Sequence, residues 1–215
     1  MKLIAAAALG FAFIAAWSGA STDSGAAAEP CPRQDEFKYE GSKSCLKCHF
    51  QEHASWQKTK MAQAFKALKP KEAADAKKAA GLDLEKDYTK EAKCVACHVT
   101  GYGKPGGYPA LVDGKEWTKE EKDRAPLMEG VGCESCHGPG EKSSLLKKDN
   151  KEYKWADIAK LGAVHPDDKS CATCHNKESP TFKEFNFKEK FGTDTHAILK
   201  LKRDHACDHK HAEGK

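Results

Sequence analysis

Large aliphatic residues are what this sequence has least of. Leu, Ile, Val and Phe together make up 31 of 215 residues, six of them within the first fourteen positions. That share lies below the range from which a chain ordinarily builds a core. A strong charge imbalance is also missing. Lys and Arg number 36 against 32 Asp and Glu, well mixed, for a formal net charge of +4. This excludes the basic stripe expected of a nucleic-acid binder. The small net charge and Trp56, Trp117 and Trp155 speak equally against a disordered chain. Long apolar runs are scarce. The one from Leu3 to Trp17, behind Lys2, is short for a membrane span. It reads as the core of an export signal over residues 1–28, cleaved after Ala20 or Ala28; an uncleaved anchor is the other reading. No other stretch suits a bilayer, so no span is expected after cleavage. The mature chain, about 187 residues, is enough for one domain or two small ones. Something other than side chains should supply much of its core.

What is present is Cys-x-x-Cys-His, four times: Cys45-Leu46-Lys47-Cys48-His49, Cys94-Val95-Ala96-Cys97-His98, Cys133-Glu134-Ser135-Cys136-His137 and Cys171-Ala172-Thr173-Cys174-His175. The spacing suits covalent haem attachment. Two thiols add to the two vinyl groups on one porphyrin edge, and the adjacent His binds iron beneath the ring. Structural zinc sites couple two Cys pairs at short range, whereas these motifs lie about 40 to 50 residues apart, each with its own His. A thioredoxin-like pair needs a βαβ context, which the sequence does not offer. Four haem c groups are therefore expected, large and apolar enough to fill the core. Such groups are attached outside the cytoplasm, which agrees with an export signal and a periplasmic location. Cys31 and Cys207 are left over, either as a disulfide or as two free thiols.

The chain divides into the signal at 1–28, a polar leader at 29–41, a tetrahaem domain at 42–200 and a His- and Lys-rich tail at 201–215. Residues 50–80 read as helix, interrupted at Pro70. Residues 101–109, with four glycines and two prolines, read as loop. Residues 115–124 and 141–163 read as helical, and 182–191, alternating aromatic and polar, as a short strand. The expected fold class is mainly α with long loops, wrapped round haems.

Whether each iron has a second axial ligand decides between pure electron transfer and an open, ligand-binding face. Residues outside the motifs that could serve are His53, His165, His196, His205, His209, His211, Met61 and Met128. Two stretches bear on the choice. One runs from Asp87-Tyr88-Thr89 through the second motif to Gly101-Tyr102-Gly103 and Gly106-Gly107-Tyr108. The other is Gly130-Val131-Gly132 with the third motif and Gly138-Pro139-Gly140. Both resemble the cytochrome c-554 family, and the likeness extends over about residues 39–199. The resemblance implies a tetrahaem periplasmic protein that accepts electrons from hydroxylamine oxidoreductase. It implies stacked haem pairs, first with third and second with fourth. It implies that the second haem has an open face flanked by a Thr and a Phe, here Thr181 and Phe182. It also implies a partner His for the fourth haem after an aromatic-rich segment, which His196 fits.

Two departures from that pattern matter. Where the family has a His on the helix after the first motif, ligating the third haem, this chain has Met61. It lies twelve residues past His49, about 18 Å along a helix. A thioether is a competent iron ligand; the other reading is a core methionine, with His53 or water at the iron. The family's His after the third motif, ligating the first haem, falls in residues 142–150, which contain no His. His165 is the substitute; otherwise the first haem is open or takes a Lys.

The leading function is a soluble electron shuttle between redox proteins, the donor a multihaem oxidoreductase and the acceptor a quinone-linked protein or a small cytochrome. Alternatives are reduction of nitric oxide or another small nitrogen oxide at the open haem, and a haem subunit of a membrane respiratory complex. No acid or base beside His98 is obvious in the sequence.

Overall fold

In the computed structural model, residues 36–150, 152–184, 186–191 and 195–196 are described. All belong to one compact unit spanning Cys31–Lys215. The signal, most of the leader, the tail, Cys31 and Cys207 lie outside the described residues.

The described chain is helical, and its helices are short: α1 Ser42–Cys45, α2 Phe50–Trp56, α3 Ala74–Ala79, α4 Ala92–His98, α5 Lys119–Arg124, α6 Cys133–His137, α7 Glu141–Asp149, α8 Trp155–Ala159, α9 Asp168–Ala172 and α10 Phe187–Lys190. No β-strand forms among the described residues; one isolated bridge joins Val99 to Glu129. Among those residues no helix is long and apolar enough to cross a membrane.

Three expected elements come out differently. The helix over 50–80 stops at Trp56, well before Pro70. Thr59 explains the stop. Its hydroxyl donates to the Trp56 carbonyl (2.7 Å) and accepts from the Ala62 amide (3.3 Å), offering the backbone an alternative to the next helical turn. Residues 57–65 therefore proceed by turns, and Met61 lies in them, so the helical reach of 18 Å does not apply. The stretch 141–163 is two helices, α7 and α8, separated at 150–154. The short strand expected at 182–191 is replaced by a turn, closed by Phe182 N to Ser179 O (3.0 Å), and by α10, which the Asn186 side chain caps.

Side chains build more core than composition suggests. One cluster gathers Tyr39, Phe65, Leu68, Tyr88, Val95, Val99, Tyr108, Ala125 and Met128; a second holds Trp155, Ile158, Ala159 and Ala163. Met128 is 1% exposed within the first, a packing residue. Phe37 and Tyr39, at the end of the stretch read as leader, are buried too. The loop at 101–109 folds back on itself, and a side chain at Gly107 would run into the Gly101 carbonyl.

A candidate haem-binding site

Each Cys-x-x-Cys-His motif occupies one helical turn. The second lies wholly in α4 and the third is α6. The first and fourth begin at the ends of α1 and α9, and each closes its turn with an i to i+4 bond, His49 N to Cys45 O and His175 N to Cys171 O, both 2.9 Å. On such a turn, residues three and four apart share a face. Both thiols and the His of each motif therefore face the same side.

The motifs are drawn together. The Cys45 thiol hydrogen-bonds Cys133, and the Cys97 thiol hydrogen-bonds Cys174. Each donates to its partner, which lowers the proton affinity of the accepting Cys133 and Cys174 thiols. Cys136 lies within electrostatic range of Cys171 and Cys174, and burial pushes it up to about 11. Sequence-distant motifs thus meet in the pairs first with third and second with fourth, and the third lies within electrostatic range of the fourth.

The donor set fits haem c. The Nδ1–H of His98 donates to the Ala64 carbonyl at 2.6 Å. That bond fixes the ring and leaves Nε2 to bind a metal. Burial lowers the proton affinity of His98, and lowers that of His137 to about 4, helped there by the charges of His196, Lys147, His165 and His49. Both rings are thus neutral at ordinary pH, as metal ligation requires. Exposed apolar side chains flank the outer motifs: Leu46 and Phe50 at the first, Phe182 and Phe191 beyond the fourth. They suit a large apolar plane. Among the described residues, no group of three or more His, Cys, Asp or Glu forms a cage for a bare metal ion.

The profile of the family described as cytochrome c554 and c-prime matches residues 44–138. Cytochrome c-554 of Nitrosomonas europaea is 37% identical over 145 residues, 64% of this chain but only 57% of that protein. The solved structure of the reduced state of cytochrome c554 from the same organism superposes with a TM-score of 0.64 at 32% identity, covering 81% of this chain and 92% of that one. This chain belongs to the cytochrome c-554 family. Its fold is that of a c-type cytochrome, and membership of the family implies covalently bound haem c. Bound haem would supply the one-electron couple, and the Cys and His residues of the motifs would hold it.

The remaining candidates fall as follows. The Met61 carbonyl accepts from Val131 N (2.9 Å), two residues before Cys133, and Trp56 Nε1 donates to Val131 O (2.9 Å). This holds the segment carrying Met61 beside the third motif. His196 stands by His137, ring centroids 6.0 Å apart and planes 35° from parallel. The ring of His165 lies flat on Trp155, at 3.7 Å and 21°. His53 is buried against Trp56. Thr181 and Phe182 are exposed, on a turn just past Glu178, whose charge reaches Cys97 of the second motif.

Several supporting residues escape a motif search. Glu134, inside the third motif, is 3% exposed and accepts from the amides of Glu40, Gly41 and Gly140. Thr100 donates to the Gly130 carbonyl and accepts from Gly132 N, both at 2.8 Å. Arg124 clamps the carbonyls of Gly106 and Tyr39. A carboxylate between two motif cysteines was the one legible signal among them, since that position has no role in haem attachment.

Proposed function

We propose that the mature chain is a periplasmic electron-transfer protein with four haem c groups, attached at Cys45 and Cys48, Cys94 and Cys97, Cys133 and Cys136, and Cys171 and Cys174. His49, His98, His137 and His175 bind the four irons. The observation that carries this reading is the gathering of the motif thiols. It supports haems running side by side in the order first, third, fourth, second, close enough for electrons to hop without rearrangement of the chain. The export pattern at 1–28 and the extracytoplasmic attachment of haem c favour the periplasm. The donor is a multihaem oxidoreductase, and the acceptor a quinone-linked protein or small cytochrome. Mass spectrometry of the holo-protein is expected to find four covalent haems; a smaller number overturns the reading.

The second haem keeps an open face near Thr181 and Phe182. Carbon monoxide added to the reduced protein should perturb one haem. Met61 faces the third haem opposite His137, supported by the bond from Val131 to its carbonyl, and His196 serves the fourth. The His137–His196 spacing favours a second reading for that pair. Two imidazoles on opposite sides of one iron stand about 6 Å apart, from metal–nitrogen bonds of roughly 2 Å. Met61→His separates the two. With Met61 as ligand, the wild type shows the far-red charge-transfer band of an iron–thioether bond, the variant loses it, and one potential falls. If the wild type lacks the band, His196 is the partner of His137.

A further inference from the structure

Only the third motif carries a carboxylate between its cysteines. The residue after the first Cys is Leu46, Val95, Glu134 and Ala172 in turn. A carboxylate there has no part in attachment and would ordinarily face water, yet Glu134 is 3% exposed. Its Oε1 accepts from Glu40 N (2.8 Å) and Gly140 N (2.6 Å), and its Oε2 from Gly41 N (2.6 Å). With three N–H donors aimed at two oxygens, the site is shaped for the ionised form. These partners are neutral amides, not cations, and the nearby Glu40 carboxylate adds charge of the same sign. The start of α6 is pinned as well, Gly132 N to Thr100 Oγ1 (2.8 Å) and Cys133 N to Ser42 Oγ (3.1 Å), so the charge cannot swing away. A fixed negative charge, shielded from water, thus lies between Cys133 and Cys136.

We propose that Glu134 sets the reduction potential of the third haem, its charge holding that potential down. The inference rests on the four-haem reading above. Reduction of that haem adds one electron, ferric to ferrous, and no bond forms or breaks. The ferric centre carries one more positive charge than the ferrous one, so a fixed carboxylate beside it favours the ferric state. Burial keeps the field strong, and amide dipoles, unlike a Lys or Arg, leave the net charge in place. Met61 as a ligand would raise the same potential and make the third haem a trap within the path; the carboxylate counters this.

The experiment is a spectroelectrochemical titration of the holo-protein, with covalent haems counted by mass in each sample. Fewer than four haems in the wild type would refute the four-haem reading itself, independently of Glu134. The third haem is the component missing when Cys133 and Cys136 are both changed to Ala. Glu134→Gln should raise its potential and leave the other three nearly unmoved. At a fixed electrode potential its ratio of reduced to oxidised haem should rise roughly tenfold, as for one unit charge at the porphyrin edge with an effective dielectric constant of about 20. Glu134→Asp keeps the charge but is too short to keep all three amide bonds, and its third haem should stay near the wild-type potential. An unmoved Gln variant overturns the proposal, and so does an Asp variant that shifts as far as Gln, which would make the role purely structural. A measurement on the wild type holds even if the Gln variant does not fold. Redox-difference infrared spectra are recorded with isotope-labelled glutamate in a host whose haem is made from unlabelled aminolevulinate, so that the propionates stay unlabelled. A labelled carboxylate band that shifts on reduction is expected; its absence overturns the proposal.

Discussion

Glu134 shows how much one side chain inside a motif can do. Its Oε1 accepts from Glu40 N (2.8 Å) and Gly140 N (2.6 Å), and its Oε2 from Gly41 N (2.6 Å). The carboxylate thereby ties the chain before the first motif to the turn after the third. Burial pushes its carboxyl above the ordinary range, against these amide bonds. Glu134→Gln keeps the shape but turns an NH2 group toward a backbone donor. The variant is expected to lose about 3 kcal/mol of stability, the cost of a broken bond to a charged group plus a buried donor left unsatisfied. Denaturant unfolding of the holo-protein measures it. Asp167 is a simpler case. It caps α9, accepting from Ser170 N at 2.7 Å and from the Ser170 hydroxyl at 2.6 Å, and these bonds hold its carboxyl below the ordinary value. A lowered carboxyl contributes stability that is present above its unfolded pKa and is lost as pH falls through the folded one. Asp167→Ala should therefore cost about 1 kcal/mol at neutral pH. The difference from wild type should vanish in acid, below the usual Asp range; a gap that persists there would mean the cap is not ionic.

At the scale of elements, the turns matter more than the helices. Gly138 ends α6 with φ +76°, and a side chain there would meet the Gly162 carbonyl. Gly138→Ala is expected to cost about 2–3 kcal/mol through backbone strain and collision. It should also shift α7, so that near-ultraviolet circular dichroism around the haems changes along with the melting curve. Unaltered haem dichroism would show that the turn does not orient α7. The same scale shows why part of the fold was legible in the sequence and part was not. The glycines and prolines of 101–109 and the four motifs carry their geometry locally, so loop and helical turn could be read directly. The stop at Trp56 depends on one threonine hydroxyl competing with the helix, and on Trp56 reaching Val131, 75 residues away. Helical composition over 50–80 conceals both. The strand expected at 182–191 failed similarly: alternation of Phe with polar residues suits a strand only where a neighbouring strand exists to pair with it, and none forms among the described residues. Of the site, the proposed attachment residues were named from chemical spacing alone; distal ligands could not be, because they depend on which distant segment faces which motif.

Across the whole molecule, the motifs are not joined in chain order. Thiol contacts link first to third and second to fourth, and Cys136 lies near Cys171 and Cys174. Under the proposed attachment of one haem per motif, the electron path would run first, third, fourth, second, with the two motifs nearest the N-terminus at opposite ends. The third is the link whose removal divides the path. Cys133→Ala with Cys136→Ala removes the covalent anchor of that haem while leaving His137 and Glu134 in place. The variant should carry three haems by mass. A photoreductant that injects an electron at the first haem should then reduce the second at least tenfold more slowly than in wild type. The equivalent change at Cys171 and Cys174 should slow that same transfer, yet leave exchange between the first and third haems fast. If removing the third haem leaves transfer from first to second unchanged, the two ends communicate directly and the linear order is wrong. If both variants slow every exchange alike, the loss is of the fold rather than of a link, and unfolding curves taken on the same samples would show it.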